Sequence, residues 1–241
     1  MNQTLVIIII IIMGSLDFFK TTQCNSCGAE IAAESGTVSR FITTREFFPL
    51  QQTNDDSAAQ LSIIKSTLLS AMLYLNDGND MPQVGVSAFR TDIIETTKEI
   101  ITNKVDIGVR HFEIAELFGN GHTVVESYFS HPRVQNGEFE RKDMFLTLKI
   151  WPKDRKPAEL IAACRETLDF AGLTYADLVL VHAPIEIGNR FEQWKTLEEM
   201  VSLGLTKSLG VANITGLQLA DLLKNSNIPP AVFEVSKTGF I

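Results

Sequence analysis

Three cysteines in 241 residues are too few for a disulfide-built scaffold of this size. Basic residues are also in deficit, with 21 Lys and Arg against 29 Asp and Glu, a formal net charge of −8. That balance argues against a nucleic-acid partner, because phosphate neutralisation needs clustered Lys and Arg. The longest apolar run falls short of the about 20 residues of a comfortable membrane span. No G-x-G-x-x-G follows the first apparent strand, which counts against a Rossmann-type dinucleotide fold. No metal-ligand set is legible either. Cys24 and Cys27 form a lone C-x-x-C without a second pair or nearby histidines, so a zinc site lacks two of its four ligands. A local disulfide and two unpaired thiols both stand open. Cys164, four residues from both Leu160 and Leu168, reads as a core thiol on a helix face.

What the chain does have is 45% hydrophobic and 21% charged residues, a composition that builds a real core. Leu5 to Met13 is unbroken apolar sequence and contains six consecutive isoleucines, Ile7 to Ile12. Its length suits the apolar region of a secretory signal, and Thr21-Thr22-Gln23-Cys24 offers a cleavage site, although no basic residue precedes Leu5. We therefore expect residues 1–24 to be a signal peptide or uncleaved anchor, with residues 5–16 holding the membrane if cleavage fails. That places the protein in the secretory pathway or outside the cell. The alternative reading of the run is a buried strand. Residues 25–72 lack a clear period and read as a poorly ordered extension. Within it Leu61, Ile64, Leu68 and Met72 recur at the spacing of a short amphipathic helix.

From residue 73 to 241 the sequence becomes rhythmic. Leu73 to Leu75, the turn Asn76-Asp77-Gly78, and Val84 to Val86 read as strand, reversal and strand. Further apolar runs follow at Val109–Ile114, Met144–Ile150, Leu178–His182, Ser208–Val211 and Ala231–Val235. Helical stretches lie between them, at Thr91–Thr102, Pro157–Ala171, Phe191–Leu203 and Thr215–Lys224. Pro157 is placed where a first-turn proline is tolerated, and Gly172 is a stop signal. Uninterrupted strands such as Leu178-Val179-Leu180-Val181 indicate burial on both faces of a parallel sheet. The expected class is α/β, a (β/α)8 TIM-barrel type with about six βα units after an N-terminal β-hairpin; a doubly wound sheet is the alternative.

Five segments resemble the motifs of the aldo-keto reductase family. The opening Leu75-Asn76-Asp77-Gly78, Met81-Pro82 and Val84-Gly85-Val86 is similar to its hairpin and first strand. Gly108-Val109-Arg110-His111-Phe112-Glu113-Ile114-Ala115-Glu116-Leu117-Phe118-Gly119-Asn120 resembles G-x-R-H-x-D-T-A-x-x-Y-G-N. Thr147-Leu148-Lys149-Ile150-Trp151 is similar to T-K-x-W, Asp177 to Pro184 to D-L-x-L-x-H-x-P, and Gly210-Val211-Ala212-Asn213 to G-V-S-N. The resemblance implies an NADP(H)-dependent barrel that interconverts carbonyls and alcohols.

In such a site a tyrosine gives the proton, a lysine lowers its pKa, an aspartate pairs with the lysine and a histidine orients the carbonyl. By motif position the lysine is Lys149, the histidine His182 and the acid Glu113, longer than aspartate by one methylene. The tyrosine position holds Phe118, which has no proton to give. General acid–base catalysis typically contributes ~10²–10⁴-fold, so that one residue predicts impaired activity. His182 is the substitute acid the sequence offers, since imidazole titrates near neutrality. The nicotinamide carboxamide would meet Ala212, Asn213 and Glu234, where the family has serine, asparagine and glutamine. Asn213-Ile214-Thr215 is also a glycosylation sequon, at the mouth of the same pocket. Two further barrel units, with the basic loop that grips the adenosine phosphate, would lie beyond Ile241; the sequence therefore reads as a truncated barrel with weak NADP(H) binding. Two functions stand open: a reductase acting on a small-molecule carbonyl, and a non-catalytic relative or fragment, a pseudoenzyme serving as a binding or regulatory module.

Overall fold

The computed structural model describes residues 6–8, 69–87, 94–152, 155–181 and 190–234. His182, Cys24, Cys27 and the stretch from Leu61 to Leu68 lie outside them. The apolar runs become parallel strands with helices between: β4 (Gly85–Ser87), α1 (Ile94–Asp106), β5 (His111–Ala115), α2 (Gly121–Phe129), α3 (Pro132–Gln135) and β6 (Phe145–Ile150). The series continues with α4 (Pro157–Phe170), β7 (Ala176–Val181), α5 (Arg190–Ser202), β8 (Thr206–Ala212), α6 (Gly216–Asn225) and β9 (Val232–Glu234). Each strand from β4 to β9 pairs in parallel with the next in sequence. A doubly wound sheet reverses its strand order at a switch point, and this sheet does not. It is wound in one direction, as a barrel wall is.

The alternation of strand side chains sorts the core into two faces. Phe112, Ile114, Leu146, Leu148, Val179, Val181, Leu209 and Val211 pack outward against helix residues that include Ile101, Val124, Leu160, Trp194 and Leu222. Cys164 lies in this outer layer, and burial pushes its thiol up to about 12, so it is an inert core group as expected. The inner face at the N-terminal strand ends is closed by Leu75 and Met81 against Phe145, Leu178, Leu180 and Val232.

Those plugging residues belong to a hairpin, β2 (Met72–Tyr74) with β3 (Asp80–Pro82). The reading of the return strand as Val84–Val86 is corrected: Asp80–Pro82 is the return strand, and the following residues start the barrel as β4. The reason is the turn length. Gly78 sits at φ 87°, and the Leu75 N–H donates to the Asn79 carbonyl at 2.8 Å, which closes the reversal early. Met72, read at the end of a helical stripe, opens β2 instead. Asn76 and Asn79 then tie the hairpin to the barrel through the Pro230 carbonyl (3.1 Å) and the Ser208 hydroxyl (3.1 Å).

The sheet has one more strand. β1 (Val6–Ile8), from within the apolar run Leu5 to Met13, lies parallel beside β9 in the register Val6–Val232, Ile7–Phe233 and Ile8–Glu234. It thereby covers a row of backbone donors and acceptors that an edge strand leaves open.

Gly210, in the middle of β8, is demanded by packing. A Cβ there would collide with Leu180 Cδ2 and lie 2.7 Å from the Val232 carbonyl oxygen, which is backbone and cannot turn aside. Gly210→Ala should therefore destabilise the protein by about 1–3 kcal/mol, measured by chemical denaturation. An unchanged midpoint would show that β8 and β9 are not packed this closely.

Candidate active site

Strand C-terminal ends are where barrel sites form. Ser87 ends β4, Glu113 is central in β5, Lys149 is the penultimate residue of β6, and Ala212 and Glu234 end β8 and β9. Three of the residues singled out from sequence meet there. Lys149 Nζ donates to Glu234 Oε1 at 2.5 Å and lies 3.0 Å from Glu113 Oε1. The Ser87 hydroxyl donates to Glu113 Oε1 at 2.6 Å. All three charged side chains are over nine-tenths buried. Burial lowers the Lys149 pKa, but the Glu113 and Glu234 carboxylates more than offset it and hold the ammonium above its ordinary range. Burial, then the neighbouring Glu113 charge, pushes Glu234 up to about 7 in spite of Lys149.

The partnership of Glu234 with Lys149 and the Ser87 bond were not drawn from the sequence. Both join positions far apart in the chain, 85 residues in the case of Lys149 and Glu234. The histidine of the second-strand motif, His111, proves structural. Its Nε2 is 2.8 Å from Thr147 Oγ1 and its Nδ1 3.3 Å from the Pro82 carbonyl, and burial lowers its pKa to about 4, so it is neutral. A Cβ at Gly85 would strike this ring at 2.7 Å, which accounts for the glycine. Arg110 lies over the Phe139 ring, 3.5 Å from its centroid. Asp177 is likewise a latch: it accepts from the Leu146 N–H (3.0 Å), from Arg141 (2.9 Å) and from Lys207 (2.8 Å), joining three strands at their N-terminal ends.

Phe118 is the last residue of the 3-10 turn Glu116–Phe118 that follows β5, and it is half-buried. That turn is fastened to the end of β6, where the Glu116 carboxylate pairs with Arg155 and accepts from the Trp151 N–H. Ala212 is buried opposite Glu234 in the ladder. Asn213 is exposed, and among the described residues it is the one non-glycine with positive φ, 59°; its N–H donates to the Glu234 carbonyl at 3.1 Å. Asparagine tolerates this conformation better than most residues. The Thr215 hydroxyl of the sequon caps α6 by accepting from the Gln218 N–H.

A singly wound parallel sheet with a lysine and two carboxylates at its C-terminal end defines a barrel-type site for polar chemistry. The sequence comparisons make this specific: residues 85–239 match the model of the aldo/keto reductase family, and the chain belongs to that family. It is 30% identical over 189 residues to aldose reductase C of Dictyostelium discoideum, covering 67% of this chain and 57% of that protein. Against the NAD(P)H-dependent D-xylose reductase I,II of Candida tropicalis, identity is 31% over 194 residues, covering 70% of this chain and 59% of the relative. Among solved structures, the Bombyx mori aldo-keto reductase in complex with NADP superposes with a TM-score of 0.62 at 28% identity, over 68% of this chain and 57% of that one. The chain thus spans somewhat under two thirds of the length of these relatives.

Two features fit a nicotinamide carboxamide. Glu234 Oε2 is buried without a donor and would accept from an amide NH2, and the exposed Asn213 side chain carries both donor and acceptor. Ala212 has no hydroxyl to add.

Proposed function

We propose that this chain is a reductase of small carbonyls, of the aldehyde or aldose class its relatives' names indicate, working with NADP(H) at reduced turnover. The observation that carries the reading is the buried Lys149–Glu113 pair at the C-terminal end of the barrel strands, the family's lysine and acid in contact. A bound NADPH supplies the hydride. Asn213 and Glu234 would hold its carboxamide, and Lys149 would place positive charge near the carbonyl oxygen, where negative charge develops. Phe118 leaves the usual proton donor missing, which is why turnover is low.

One observation favours a second reading, that of a non-catalytic relative. Lys149 is claimed by two carboxylates, and a lysine neutralised in this way polarises a neighbour less. Fluorescence titration with NADPH, followed by NADPH consumption on a panel of small aldehydes and aldoses, separates the two. The reductase reading expects saturable binding and measurable turnover. Saturable binding without turnover on any carbonyl favours the non-catalytic reading, and no binding by a folded chain removes the reductase reading.

A further inference from the structure

Glu113 and Glu234 bring two carboxylates to one ammonium, which leaves one excess negative charge in the interior. An unpaired buried charge is neutralised by a proton where one is within reach. The hydrogen bonds show where it goes. Both Oε1 atoms are served, by Ser87 and Lys149. Both Oε2 atoms are buried and lack a donor. The two carboxyl groups meet on one Nζ, at 3.0 Å and 2.5 Å, yet as carboxylates neither donates. A single proton on the pair removes the excess charge and turns one carboxylate into a donor. We propose that Glu113 and Glu234 hold one proton between them against the Lys149 ammonium, and that the site delivers this stored proton to a substrate carbonyl in place of a hydroxyl at position 118.

The surroundings agree. Among the described residues, Glu113 on β5 and Lys149 on β6 are the ionisable groups that act on Glu234. The strands flanking β9 bring Val6–Ile8 on one side and the uncharged Gly210 to Ala212 on the other. His111, two residues before Glu113 on β5, is kept neutral by burial. The raised pKa of Glu234 puts loss of the proton near neutrality. Delivery breaks the O–H bond of the shared carboxyl and forms one on the carbonyl oxygen. The carboxylate left behind recovers its proton from water. The electron pair arrives as hydride from a reduced nicotinamide, so delivery rests on the reductase reading above.

The test uses the full chain labelled with carbon-13 glutamate. Isotope-edited infrared spectroscopy should show a protonated-carboxyl stretch at about pH 6, where ordinary glutamates are ionised. It should fade as the pH passes about 7. Both Glu234→Gln and Glu113→Gln should abolish it, since either leaves Lys149 with one carboxylate and no excess charge. These variants keep the side-chain shape, and circular dichroism checks their fold. In turnover, kcat should fall above about pH 7. Glu234→Gln should lower kcat at about pH 6 by about 10²-fold and remove that pH dependence, with KM little moved. Absence of the band, or its survival in Glu234→Gln, overturns the shared proton. Turnover whose pH profile ignores Glu234→Gln overturns delivery alone and leaves the reductase reading intact. A band that titrates as expected in a chain without turnover brings down the reductase reading, and delivery with it.

Discussion

Phe118→Tyr combined with Glu234→Gln should raise carbonyl turnover by ~10²–10⁴-fold over Glu234→Gln alone, the range a restored general acid contributes. The size of the gain follows from the charges around Lys149. A tyrosine hydroxyl is a useful acid near neutrality only if a cation lowers its pKa. Lys149 is that cation, but Glu234 lies 2.5 Å from its Nζ and Glu113 3.0 Å, so its positive charge is already spent. Phe118→Tyr alone should therefore gain only about tenfold, because a hydroxyl beside two carboxylates is a poor acid. Glu234→Gln leaves Lys149 a single carboxylate at every pH, without changing shape, and frees the ammonium to act. The same change should lower turnover when residue 118 is phenylalanine, since it destroys the stored proton. One substitution is then harmful in one background and beneficial in the other, a sign reversal that independent sites never show. Single-turnover rates of the four proteins with NADPH and one aldehyde decide the matter. Additive effects would mean that positions 118 and 234 do not share Lys149.

The largest stability effect should come from Lys149→Met. Breaking a buried ion pair by removing one partner typically costs about 3–5 kcal/mol, because the remaining charge is stranded in the interior. Here two carboxylates would be stranded together, both less than a tenth exposed. The loss should depend on pH, with a definite sign. Without Lys149 the folded-state pKa of Glu234 rises further above the unfolded value near 4.5. A group raised on folding contributes stability that is present below its unfolded pKa and disappears as the pH climbs through the folded one. The variant should therefore lie closest to the parent in acid and fall progressively behind as the pH rises through 7 and beyond. Urea denaturation of both proteins at about pH 5 and about pH 8 measures this directly. A deficit that is the same at both would show that Lys149 contributes packing rather than charge.

The barrel wall was legible because its signals are local. Leu178 to Val181 is apolar at every position, and such a strand is buried on both faces. Pro157 and the turn after Phe170 bound α4 as a first-turn proline and a trailing glycine should. The return strand of the hairpin was misplaced because the turn closes through one backbone bond between Leu75 and Asn79, which no apolar pattern announces. Helix α2 is not legible because it is short: its buried Val124, Val125 and Tyr128 span little more than one turn, too few to establish a helical period. The three strand residues Val6–Ile8 had an apolar run to mark them, but nothing in that run says that β9 is their partner.

By itself the sequence determined the strand and helix succession, the family of folds, and the charged groups available at the strand ends: Glu113, Lys149 and Glu234, with a phenylalanine at 118. Only the tertiary structure decided what those groups do to one another. Lys149 lies level with Leu180, Leu180 with Gly210 and Gly210 with Val232, so the register of four parallel strands carries Glu234, two residues on, to the lysine. Local sequence sets each strand's own alternation. The distance between charges 85 residues apart is instead the sum of every ladder between them, and a hydrogen-bonded register exists only when the whole sheet has formed.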